Sequence, residues 1–201
     1  GVWDTVGALG IPLRGWEKLT AARHQFHDTE LSGSVQFGYH ALAIDERREP
    51  FEPTLWSWKP KEGQTVEQMW FCGTHSDIGG GFLKRGLSDI PLQWMIDKAQ
   101  GTGLAFDEPA MQAHPLLPNA TEALNIVESA FHRFVLGRNR PIGLRRTGQP
   151  DPTQSLHPTV HQRWDKDAGY RPLGLAQYFE RIRDPRGGPR QPQQPPQRLA
   201  A

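Results

Sequence analysis

The 201-residue chain has a single cysteine, Cys72, which excludes an internal disulfide and any zinc site built from several thiolates. No apolar run approaches the ~18 residues that a membrane-spanning helix requires, so the sequence offers no bilayer span. Charge of either sign is scarce in excess: the net value is +1, and it belongs to the tail. Residues 184–201 hold three Arg against one Asp, leaving 20 basic and 21 acidic residues in the body. A body without a basic face has no electrostatic footprint for nucleic acid. There is no internal repeat at periods of about 20 to 50 residues. There is also no initiator Met and no charged-then-apolar leader before Gly1-Val2-Trp3-Asp4, and the chain reads as the carboxyl-side part of something longer.

What is present suits one folded unit. With 36% hydrophobic and 22% charged residues, the composition is that of a compact globular domain. A chain of this length buries roughly 70% of its unfolded surface, enough for a core without disulfides. We assign residues 1–183 to that domain and 184–201, rich in Pro, Gln and Arg, to a disordered tail.

The local patterns indicate an α/β fold. Residues 66–73 (VEQMWFCG) read as a buried strand that delivers its end to Thr74-His75, and alternation around 35–44 reads as another. Residues 76–81 (SDIGGG) look too glycine-rich for a regular element. A helix follows, with Ser88 as N-cap, Leu92, Met95, Ile96 and Ala99 on one face, and Gly101 or Gly103 as its stop. A second amphipathic helix is predicted from about Ala120 to Val135. Residues 138–175 are broken by five prolines and read as irregular, with a final short helix over Gln177–Ile182.

Two residues stand where chemistry is expected. Asp4 directly follows an apolar strand end, a place that opens into the crevice where open α/β sheets keep their ligands; its alternative is a turn or helix-cap aspartate. His75 also follows a strand end, 71 residues later. An acid and then a histidine, each on a loop after a strand, is the order found in α/β-hydrolase triads. There the carboxylate fixes the imidazole tautomer and the imidazole relays the nucleophile's proton.

The segments GVWDTVGALG (1–10), FHDT (26–29), YHALAIDERREPFEPTLW (39–56), VEQMWFCGTHSDIGGGF (66–82) and LSDIPLQWMIDKA (87–99) resemble, in order, the motifs of the type VI secretion phospholipase effector catalytic domain, family 1 of the type VI lipase effectors. HPTVHQRW and YRPLGL, within 157–175, are similar to its weaker closing motif. The resemblance implies an α/β-hydrolase that cleaves phospholipid acyl esters with a Ser-Asp-His triad, its acid falling on Asp4 and its base on His75. It also implies no metal and no cofactor, a lipid substrate at a membrane surface, an immunity protein and a secretion carrier as partners, and synthesis in the cytoplasm before delivery to a target cell's envelope.

One family element is missing. No G-x-S-x-G nucleophile elbow occurs among the seven serines; Ser34 lacks the flanking glycines and Ser76 adjoins the proposed base. The expected fold is therefore the carboxyl-side half of an α/β-hydrolase with an irregular C-terminal segment. Two other readings stand beside the phospholipase: a catalytically inactive hydrolase-like binding module, and another serine esterase or lipase of the same fold.

Other residues compete for roles. His40 is the alternative base, although its strand favours a buried structural histidine; Asp77 is the next acid, though turning the backbone behind His75 suits it better. His24 and His27, near Asp28 and Glu30, have a metal-ligand spacing, but a solvated polar face suits them better. Asp45, Glu46, Arg47 and Arg48 read as a salt-bridged turn. Cys72, on a buried strand, reads as inert. Trp56 and Trp58 are candidates for an acyl pocket, Trp70 and Trp94 for the core.

Overall fold

A computed structural model gives the fold and describes residues 1–6, 30–56, 59–125, 138–184 and 188–189. Its centre is a parallel four-stranded sheet in the order β1-β2-β3-β4, comprising β1 (Val2–Trp3), β2 (Phe37–Ala43), β3 (Thr65–Phe71) and β4 (Gln154–Leu156). β2 and β3 pair over their full seven residues, from Phe37 opposite Thr65 to Ala43 opposite Phe71. β1 joins through Val2 opposite His40, and β4 through Gln68 opposite Gln154.

Successive strand residues point to opposite faces, and both faces here are apolar, as a covered parallel sheet requires. Ala41, Ala43 and Phe71 lie in one core with Ile78, Ile90, Trp94 and Met95. Those residues belong to α1 (His75–Gly79) and α2 (Asp89–Gly101). Leu42, Ile44, Trp70 and Cys72 lie in the other core with Val160 and Leu175, from α4 (Pro158–Lys166) and α5 (Leu173–Ile182). A short α3 (Glu108–Ala113) sits between the two sets in sequence. The result is helix, sheet and helix in three layers, an α/β fold.

Several local expectations change. The stretch after Thr74 is helical despite its glycines, because Asp77 Oδ2 accepts both the backbone N–H and the hydroxyl of Thr74 at 2.9 Å and so starts α1. Ser88 stands at the N-cap of α2 as expected, but its side chain makes no capping bond: its backbone is already helical and its hydroxyl donates to the Arg85 carbonyl. The buried face of α2 runs through Ile90, Trp94, Met95 and Ile96, while Leu92 is exposed. The helix expected from Ala120 does not begin there, since 120–125 form turns and loop; residues 126–137 of that expectation lie outside the described residues.

Residues 138–175 are more regular than their prolines suggest. Pro158 occupies the first turn of α4, where its missing N–H costs nothing, and Pro172 stands just before α5. In the tail, Arg183–Asp184 pair antiparallel with Gly188–Pro189, and the remainder is outside the described residues. Among the described residues no helix is long and apolar enough to cross a membrane.

Candidate active site

Asp4 and His75 meet beyond the carboxyl end of the parallel strands. Asp4 follows β1, and its backbone N–H still donates to the Ala41 carbonyl at 2.7 Å, extending the ladder to β2. Its φ of 42° lies in the left-handed region, uncommon for a residue with a side chain. His75 follows β3 after Gly73, whose φ of 130° makes the turn and whose missing Cβ leaves room for Asp77. His75 Nδ1 lies 2.8 Å from Asp4 Oδ2. An ionised carboxylate only accepts, so the ring donates from Nδ1 and Nε2 is left for chemistry. The His75 side chain is 29% exposed.

Asp4 itself has no solvent contact. Its Oδ1 accepts the Ala43 N–H at 2.9 Å, and the Arg140 guanidinium donates to both oxygens, at 2.5 Å to Oδ1 and 3.0 Å to Oδ2. Burial pushes the carboxyl pKa up. The hydrogen bonds from His75 and Arg140, the Arg140 charge and the Ala43 amide outweigh burial and hold it below the ordinary carboxylate value.

One more side chain packs on the His75 ring, and another holds its backbone. Phe51, in the single 3₁₀ turn Glu49–Phe51, packs edge-on against it with centroids 5.0 Å apart. The guanidinium of Arg48 lies 3.8 Å above the Phe51 ring and forms an ion pair with Glu46, whose Oε2 accepts the His75 backbone N–H at 3.3 Å. The run 45–48 is thus the salt-bridged turn its composition indicates, and it also braces the imidazole.

The competing residues are occupied elsewhere. His40 is fully buried on β2, where its Nε2 accepts the Thr5 N–H at 3.1 Å; burial lowers its pKa to about 4. Asp77 spends one oxygen on Thr74 and the other on the Asn125 amide at 2.7 Å. Cys72 is buried and its thiol pKa is pushed up to about 12. Ser34 is exposed and shares a hydrogen bond with Ser32. Trp70 and Trp94 are core residues, while Trp56 packs on His40. His24, His27, Asp28 and Trp58 lie outside the described residues, among which no group of three or more His, Cys, Asp or Glu could hold a metal.

Sequence reasoning missed Arg140 and Phe51. Phe51 lies inside a quoted motif but carries no polar atom to draw notice. Arg140 sits in the stretch read as irregular, and nothing local separates it from the chain's other cations. A depression of about 220 Å³ opens between Trp3, Ile78, Gly79, Gly80, Ser88 and Leu92. Its lining includes a chain neighbour of Asp4, Trp3, and α1 residues that follow His75, but neither Asp4 nor His75 itself.

Residues 1–98 match the family model described as T6SS, phospholipase effector Tle1-like, catalytic domain. The match includes Asp4, Phe51 and His75 and stops short of Arg140. No curated protein and no solved structure matches the chain.

Proposed function

We propose that the Asp4–His75 pair works in the hydrolysis of phospholipid acyl esters, within a type VI secretion effector whose nucleophilic serine comes from sequence upstream of Gly1. The observation that carries the reading is the 2.8 Å contact between Asp4 and His75, at the carboxyl end of a parallel sheet and inside the stretch matched by a phospholipase family. The 201 residues contain no G-x-S-x-G elbow, so the nucleophile and its oxyanion donors are assigned to the upstream part.

In this scheme Nε2 of His75 takes the serine proton as the oxygen attacks the acyl carbonyl. It then returns that proton to the departing alcohol oxygen of the lipid. Water deacylates the serine by the same route. Asp4 stays anionic throughout, orients the ring through Nδ1 and stabilises the imidazolium. The depression lined by Trp3, Ile78 and Leu92 is apolar on these sides and suits an acyl chain. As an effector the protein would also meet a carrier of the secretion machine and an immunity protein.

The test uses the polypeptide extended upstream through the first G-x-S-x-G, with phosphatidylglycerol and phosphatidylethanolamine vesicles and titration of released fatty acid. The extended chain should hydrolyse lipid, the 201 residues alone should not, and His75→Ala should lower kcat by several orders of magnitude. Full turnover in a folded His75→Ala variant would remove His75 from the mechanism. An upstream sequence without an elbow serine, and no fatty acid release, would leave a binding module.

A further inference from the structure

A carboxylate with no solvent contact persists as an anion only beside a cation. Among the described residues, two side chains that can carry that charge contact Asp4: His75, when protonated, and Arg140. Arg140 is itself 6% exposed and spans both Asp4 oxygens. Its other N–H groups donate to the carbonyls of Ala43 at 2.8 Å and Phe51 at 2.6 Å. One side chain therefore ties together the end of β1, the end of β2 and the turn whose aromatic ring packs on His75. Among the other described residues, the Arg48 charge also reaches Asp4, but it is held by a carboxylate of its own. Glu46 is paired with Arg48, and His40 is neutral near pH 7.

We infer that Arg140 is a positioning residue that keeps the Asp4–His75 pair one proton short, so that Nε2 of His75 stays unprotonated and able to accept. The reason is proton balance. Without the guanidinium, a buried carboxylate beside an imidazole gains by taking up one proton. If that proton sits on Asp4, the neutral carboxyl donates to Nδ1 and the ring proton moves to Nε2. If it sits on the ring, the imidazole becomes imidazolium. Nε2 is protonated in both cases, and the base is lost.

The inference rests on the acid–base reading of the pair, but its test needs no turnover. Ring-¹⁵N spectra of the 201-residue chain at pH 8, with the His75 signals identified by their absence in His75→Gln, report whether Nε2 carries a proton. Wild type should show Nε2 unprotonated, and Arg140→Gln should show it protonated. A folded Arg140→Gln with Nε2 still unprotonated would make Arg140 a structural cation only and overturn the inference. Where Arg140→Gln does not fold, Arg140→Lys decides. Its ammonium cannot span both oxygens, so its ¹⁵N profile should show more protonated Nε2 than wild type does. An unchanged profile in Arg140→Lys overturns the inference equally. Absence of lipid hydrolysis by the upstream-extended chain, with both ¹⁵N spectra as expected, would instead count against the proposed activity and leave the inference standing.

Discussion

The Tyr170 hydroxyl donates to Asp45 Oδ2 at 2.8 Å, joining two residues 125 positions apart on the sheet face opposite α1 and α2. The same oxygen accepts the Gly73 N–H at 2.7 Å, two residues before His75. Burial raises the Asp45 pKa from 3.8 to about 6 against these hydrogen bonds. A folded pKa above the unfolded value means that the folded chain binds the extra proton. The stabilisation is complete below pH 4 and fades as pH rises through 6. Asp45→Asn keeps an oxygen that can accept both bonds and cannot ionise. We expect it to match wild type at pH 4 and to exceed it by roughly 1–3 kcal/mol at pH 7. Urea unfolding of both chains from pH 4 to 7 checks this, and parallel curves would refute it.

Asp4→Asn should cost stability as well as any turnover. The amide leaves Arg140 as a buried guanidinium without its counter-charge, a change worth about 3–5 kcal/mol. Asp4→Asn combined with Arg140→Gln should recover part of the loss, because no buried charge then lacks a partner. A double-mutant cycle by urea denaturation measures the coupling. An additive cycle would show that the ion pair contributes nothing beyond its separate parts.

The reach of sequence reasoning follows the range of each contact. Asp4 and His75 each carry a local sign, a polar residue just past an apolar strand end, and both ends open at the same edge of the sheet. Arg140 carries none, because its partner Asp4 is 136 residues away and only the folded sheet joins them. α4 escaped notice for a different reason: its buried residues are Val160 and Arg163, too few apolar positions to show a helical period. Pro158 added to the error, since a proline at a first helical turn and a proline in a loop look alike in one sequence. Leu92 shows the opposite failure. It fits a helical period with Met95 and Ile96, yet the sheet meets α2 through Ile90 and Trp94, so Leu92 is left at the edge of the depression.

Cys72 should be slow to react in the native chain. The residue is 5% exposed and its thiol pKa is pushed up to about 12 by burial, so little thiolate is present at neutral pH and little of the residue is accessible. An aromatic disulfide reagent at pH 8 should label it at the rate of unfolding and complete the reaction at once in strong urea. Stoichiometric labelling within seconds in native buffer would show an open route to the strand end at Cys72.

Gly174→Ala should disturb the site from the far side of the molecule. A Cβ on Gly174, in the first turn of α5, would overlap the Arg140 carbonyl oxygen, with backbone rather than a flexible side chain in the way. Either α5 must move off the sheet, or the Arg140 backbone must shift and take its guanidinium with it. Overpacking of this kind costs about 1–3 kcal/mol. The second route should also lengthen the contacts from Arg140 to Asp4, whereas the first would change stability alone. Gly101→Ala is the control, since that glycine closes α2 with nothing near its missing Cβ. We expect Gly174→Ala to lower the urea midpoint and to alter the His75 ring-¹⁵N spectrum, and Gly101→Ala to do neither. A destabilised Gly174→Ala with an unaltered His75 spectrum would show that α5 gives way and that the hold of Arg140 on Asp4 does not depend on it.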